Sequence, residues 1–186
     1  MKVVITEIFC EILTGLFASF VGLAILDFLR VVTFEQVWEI AKPPVGFPFI
    51  TGLLIAAYLL GVVLDAVGLV FDNIFDNLIC ADPPSSEQIG SFWKNSEAHV
   101  LAYRDNVWAY YFCYRNLFIL TLPAIVFGAG TLYRRGLPGW AFFLAITLVA
   151  MGIVFFLSMR TLLKLYYDIT KSFEEIVCER NGSLTT

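Results

Sequence analysis

A single histidine, His99, is all the imidazole this chain has, and its cysteines (Cys10, Cys80, Cys113, Cys178) stand apart without CxxC spacing. That composition lacks the ligand sets of zinc and haem sites and argues against a disulfide framework. No metal and no cofactor are expected. Catalytic signatures are missing too: there is no Walker A loop, HExxH, dinucleotide fingerprint or GxSxG context, and His99 has no nucleophile and acid arranged around it in sequence. The chain is therefore not expected to be an enzyme. Charged residues make up only 15%, with a net charge of −4, which argues against a general nucleic-acid binder. The first residues carry Lys2, Glu7 and Glu11 but no small-residue cleavage site, so the first apolar stretch is expected to stay in the mature protein.

What is abundant is apolar surface: 59% of residues are hydrophobic and the mean hydropathy is +0.80. The apolar residues fall into runs at about 8–32, 47–71, 107–132 and 137–159. Each reaches the ~20 residues that cross ~30 Å of hydrocarbon as a helix. The expectation is an all-α polytopic membrane protein with four transmembrane helices. It forms a single domain, 1–186, with cytoplasmic segments at about 72–106 and 160–186. No proline follows Pro138, so helix four is expected to extend into the cytoplasm, running to about residue 179 over ~60 Å. With an even number of spans both termini share a side. That side collects Lys2, Lys94, Arg104, Arg115, Arg160, Lys164, Lys171 and Arg180, against Arg30, Lys42, Arg134 and Arg135 opposite. Positive-inside reasoning places both termini in the cytoplasm.

Between spans one and two, Thr33 and Gln36 have the spacing of a capping box, which predicts a short interfacial helix over 33–42 with Trp38 at headgroup depth; a plain loop is the alternative. Asp82-Pro83-Pro84-Ser85-Ser86 is the strongest break, and Gly136-Leu137-Pro138 is a tight turn. Pro123 lies inside span three and marks a candidate hinge, with Gly128 and Gly130 after it. Gly15/Ser19, Ala18/Gly22, Gly52/Ala56 and Ala57/Gly61 are small-residue pairs that would let helices approach closely.

The polar residues form two patterns. Asp65, Asp72 and Asp76 share a helical face, and Arg104 and Arg115 are likewise 11 apart. Spans two and three run antiparallel, so Asp65 should meet Arg115 and Asp76 should meet Arg104. This charged ladder fixes helix register, or else lines a water-filled vestibule that selects or gates ions. The second pattern is the stripe Arg160, Lys164 and Lys171, suited to lipid headgroups or to an anionic ligand. On the same helix Leu162, Tyr166, Ile169, Phe173 and Ile176 form a short heptad seam, for packing within the subunit or against a neighbour.

Three functional classes fit: a homo-oligomeric pore, a small dimeric proton-coupled transporter using Asp27 or Asp65 (with Glu11 nearer the interface), and an accessory or scaffold subunit of a larger membrane complex. The four-span layout with long cytoplasmic segments, together with Gly61-Val62-Val63-Leu64-Asp65 and Tyr114-Arg115-Asn116, resembles small membrane effectors of bacterial phage-defence operons, the Hailong-type channel components. The resemblance implies a tetrameric ligand-gated channel in the bacterial inner membrane. It also implies an anionic nucleotide or DNA-oligomer ligand from a companion nucleotidyltransferase, bound near Arg160, Lys164 and Lys171. Opening would collapse the membrane potential and arrest growth.

Overall fold

A computed structural model describes residues 2–41, 47–71, 74, 79 and 83–182. Among the described residues there are helices and no strands. They are α1 (Lys2–Phe28), α2 (Phe34–Ala41), α3 (Phe47–Leu69), α4 (Ser86–Asn95) and α5 (Ala98–Pro123), then a π-helical segment (Ala124–Ala129), α6 (Gly130–Arg134) and α7 (Pro138–Gly182). Four stretches, Val4–Phe28, Ile50–Leu69, Ala98–Arg134 and Pro138–Lys171, are helical, long and apolar enough to cross a membrane. They mark a membrane-embedded protein. The helical state follows from the solvent: in hydrocarbon each N–H and C=O must be satisfied within its own segment. At 45 residues α7 is about 67 Å long, roughly twice the hydrocarbon thickness.

The four long helices do not form a closed square. α3 packs on α1, α1 on α5 and α5 on α7, while α3 touches α5 only slightly. The central pair, α1 and α5, is accordingly more enclosed than α3 and α7. The outer helices show broad apolar faces, Leu59, Val63 and Val67 on α3 and Phe142, Ile146, Ile153 and Leu157 on α7. Between α5 and α7 the core is aromatic: Trp108 lies 4.4 Å from Tyr166 and 5.1 Å from Tyr111, beside the buried Met159 and Leu163. Leu162 and Tyr166 of the heptad seam thus pack within the subunit; the side chains of Phe173 and Ile176 lie outside the described ones.

Local chemistry sets the helix ends. Gln36 N–H donates to Thr33 Oγ1 (3.3 Å) and Thr33 N–H to Gln36 Oε1 (2.9 Å), a reciprocal capping box that starts α2. Ser85 and Gln88 do the same for α4, at 3.2 and 2.8 Å. Just past the end of α6 the chain turns at Gly136, whose φ of +76° is open to glycine without penalty, and Pro138 then opens α7. Pro123 is the last residue of α5 but does not end the helical path. Lacking an N–H, it gives no hydrogen bond back along the helix, and the chain continues through the π-helical turns instead.

The loop ends of α1 and α6 are tied by ions. Arg135 Nη2 donates to Asp27 Oδ2 (2.7 Å) and to Glu35 Oε2 (2.9 Å), and Arg135 Nη1 pairs with Glu35 Oε1. Asp27 Oδ2 also accepts the Phe34 N–H (3.3 Å). Arg134 bonds the Phe28 carbonyl (2.8 Å) and lies 3.8 Å over the Phe28 ring. Arg135 holds the Glu35 carboxyl below its ordinary range. The pair's contribution is therefore complete above the ordinary carboxylate range and disappears as pH falls through the lowered value. Amide-exchange protection of α2 should exceed that of Glu35→Gln at neutral pH, and the difference should vanish on acidification. A difference that persists in acid would show that another contact carries it.

Candidate functional site

Three helices converge on one cavity of about 290 Å³, on the side of the subunit where α1 and α5 begin and α3 ends. α1 contributes Glu7, Cys10, Glu11 and Thr14, at i, i+3, i+4 and i+7, which is one helical face. α5 contributes Asp105, Trp108, Ala109, Phe112 and Cys113 by the same periodicity, and α3 contributes Asp65. Glu7 and Asp105 are the more open carboxylates and stand nearest the helix starts; Glu11 is 8% exposed and lies deeper. Thr14 Oγ1 donates to the carbonyls of Cys10 (3.0 Å) and Glu11 (3.1 Å), which orders this turn of α1.

Asp65 is the best-held acid. Its Oδ1 accepts from Asn116 Nδ2 and lies 3.6 Å from Arg115 Nη2, which also donates to the Asp65 backbone carbonyl at 3.1 Å. Asn116 Oδ1 in turn accepts from Arg115 Nε (3.3 Å) and Nη2 (3.2 Å). Arg115 is fully buried, its guanidinium 4.4 Å over the Phe112 ring. The space it fills exists because residue 68 is glycine: a Cβ there would come within 2.6 Å of Arg115 Nε. Gly61 plays the same part for Glu11, where a Cβ would meet Glu11 Oε2 at 2.6 Å. The Glu11 carboxyl pairs with that of Asp65, while its Oε2, enclosed against Gly61, has no further hydrogen-bond partner. Cys10 and Cys113 are free thiols packed together across the α1–α5 contact.

The expected ladder is thus met at its inner rung, where Asp65 and Arg115 pair. Asp72 and Asp76 lie outside the described residues. Arg104 is 3% exposed, bonds Asp105 at 2.9 Å, and stacks 3.9 Å over Trp93 and 4.9 Å over Phe92 of α4. The basic stripe does not join this site: Arg160 and Lys164 are exposed on α7 in an open groove shared with Asp168, and Lys171 is half-buried further along. Asp27, weighed with Asp65 as a coupling acid, belongs to the Arg135 ion cluster instead. It lies 16 residues beyond Glu11 (27 minus 11), about 24 Å along α1. Glu11, set nearer the interface by sequence, is the carboxyl that shares the cavity with Asp65. Glu11, Asn116, Asp105 and the Cys10–Cys113 contact were not singled out from sequence as one site. Their signal is the polar stripe Glu7-Cys10-Glu11-Thr14 on an otherwise apolar helix.

Among the described residues, no group of His, Cys, Asp and Glu is placed to hold a metal ion. The named lining contains four carboxylates and no Lys or Arg, with Arg115 behind Asp65 and Arg104 beside Asp105 as nearby positive charges. The arrangement sets acids from three helices beside the aromatic side chains of Trp108 and Phe112. Comparison with protein-family models, curated proteins and solved structures finds no match.

Proposed function

We propose that the protein conducts cations across a membrane as a homo-oligomeric pore, with the acidic cavity as its vestibule. The observation that carries this reading is the cavity lining, in which Glu7, Glu11, Asp65 and Asp105 converge without a lining Lys or Arg. A field of that sign concentrates cations and repels anions. The open row of four long helices supports assembly, because one subunit encloses no conduit while the broad apolar faces of α3 and α7 suit lipid or a second copy. A tetramer is the assembly we favour. Both termini then face the cytoplasm, in line with the distribution of Lys and Arg. Opening such a pore dissipates the membrane potential, the action of a membrane-disrupting effector in bacterial antiviral defence. Its gating ligand would be the anionic nucleotide implied by the resemblance.

A second reading, a small dimeric carrier, is favoured by one chain supplying all four acids of the cavity from three of its helices. Two measurements separate them. Native mass of the detergent-extracted protein, corrected for bound lipid and detergent, should give a tetramer or larger ring for the pore and a dimer for the carrier. Reconstituted into liposomes with a potassium gradient, the pore should show discrete conductance steps that favour cations over anions. A monomer that passes no current would overturn both readings.

A further inference from the structure

One stripe of α7 changes from carbon to cation without leaving its side of the helix. Val149, Ile153, Phe156 and Leu157 are followed by Arg160 and Lys164, at i, i+4, i+7, i+8, i+11 and i+15, so all six share a face. The carbon half borders a groove of about 600 Å³ between α5 and α7. Its other wall, Phe118, Leu122 and Ile125, runs from α5 into the π-helical turns. The walls meet where Gly152 approaches Thr121; a Cβ on the glycine would stand 3.0 Å from Thr121 Cγ2. Thr121 is the lining residue with a polar side chain, and its hydroxyl donates to the Leu117 carbonyl at 2.8 Å. The groove thus offers an occupant carbon and no open side-chain donor. Arg160 lies 22 residues past Pro138 (160 minus 138), about 33 Å along α7 and so at the far edge of a ~30 Å hydrocarbon layer. Arg160 and Lys164 are exposed there, in a recess that also holds Asp168 one turn further from the groove. A shallow recess of Tyr114, Ser158 and Thr161 joins groove and cations, and Leu157 borders all three. From Arg160 back to Val149 is 11 residues (160 minus 149), about 16 Å, the depth of one leaflet.

We propose that this seat holds one anionic phospholipid, its phosphate on Arg160 and Lys164 and one acyl chain in the α5–α7 groove. Basic side chains at the mouth of an inter-helix groove select acidic headgroups by charge, and the apolar walls set where the chain lies. A free phosphate or nucleotide would meet the cations and leave the groove open. A zwitterionic lipid would fill the groove and bring its own ammonium to the cations. The acidic lipid matches both halves of the stripe. This seat shares no residue with the acidic cavity and stands independently of the pore reading.

The protein in nanodiscs of phosphatidylglycerol and phosphatidylcholine in equal amounts tests it. Released and weighed by native mass spectrometry, each chain should keep one phosphatidylglycerol in preference to phosphatidylcholine. Phosphatidylglycerol with a photoreactive group in mid-chain should label the peptides of residues 118–125 and 149–157. Replacing both exposed cations, Arg160→Gln with Lys164→Gln, should weaken retention roughly 10- to 30-fold. Ile153→Trp, which fills the groove from its rim, should weaken retention and remove the label from 118–125, with the unfolding temperature near the parent's. Equal retention of the two lipids, label spread evenly over the apolar faces of α3 and α7, or parent-like retention in either variant would overturn the proposal. Displacement of the lipid by equimolar glycerol phosphate would make the stripe a site for free anions and overturn it as well. Label present in the monomer and absent from the oligomer would give the groove to a second copy, with the same consequence. Should either variant fail to fold, the parent's lipid preference and label still decide. Preferential retention without liposome conductance defeats the pore and leaves this site standing; conductance without preferential retention does the reverse.

Discussion

Replacing Arg115 by leucine should cost the protein about 3–5 kcal/mol, enough to remove the folded species from detergent extracts at temperatures the parent survives. The side chain is fully buried and serves the Asp65 carboxylate, the Asp65 backbone carbonyl and the Asn116 amide oxygen at once. Removing it leaves the Asn116 amide oxygen without its donor and strips the Asp65 carboxylate, 27% exposed at the edge of a membrane span, of its counter-charge, with Asn116 Nδ2 still bonded to it. Arg115→Lys should recover little, because an ammonium cannot reach these acceptors in the geometry of a planar fork. The double replacement Arg115→Leu with Asp65→Leu removes both charges and should restore much of the loss. That double variant also separates the two roles open to the pair. If it is stable and still conducts, the pair fixes the register of α3 against α5 and nothing more. If it is stable and silent, the charges belong to the conduction path. Parent-like thermal survival of the single variant would sink the claim that the pair holds these helices together.

The depth match of Asp65 and Arg115 was legible in the sequence because it needs only helix rise, antiparallel direction and the rule that charges in lipid find partners. The four spans were legible for a similar reason: length and apolarity are one-dimensional quantities. The short helix after Thr33 was legible from its cap, and the identical signature at Ser85–Gln88 marks α4 just as well. Rotation about each helix axis was not legible. A span that is apolar all round has no stripe to say which face turns inward, so neither the choice of neighbours nor the open row α3–α1–α5–α7 follows from periodicity. Polar exceptions carry that information. Asn116 directly follows Arg115 and completes its network, and Gly68 clears the space for the guanidinium. Neither acquires meaning until α3 and α5 are set side by side. The π-helical turns after Pro123 escape for another reason: proline signals a missing hydrogen bond, and several backbone solutions repair it equally well.

Gly15 and Gly22 stand on the same helix, each in a small-xxx-small pair, and the sequence treats them alike. The structure does not. A Cβ at Gly15 would fall deep inside the Ala57 carbonyl group of α3, whereas a Cβ at Gly22 would meet nothing within 4 Å. Gly15→Ala must therefore push α1 from α3 at their closest crossing. Overpacking of this kind costs about 1–3 kcal/mol and sometimes more, and no flexible side chain stands there to yield. Gly22→Ala adds a methyl against open space and removes the helix penalty of glycine, so it should be neutral or stabilising by up to about 1 kcal/mol. Thermal unfolding of the two variants in one detergent should differ clearly, with Gly15→Ala below the parent and Gly22→Ala at or above it. The same shift reaches the cavity, because Glu11 lies one turn from Gly15 and crosses α3 at Gly61. Gly15→Ala should then speed maleimide attack on Cys10 and lower cation conductance together, while Gly22→Ala leaves both unchanged. Equal unfolding temperatures for the two variants would mean that the α1–α3 crossing is looser than described. The glycines would then have no part in shaping the site, and its acids would have to be positioned by the Arg115–Asn116 network alone.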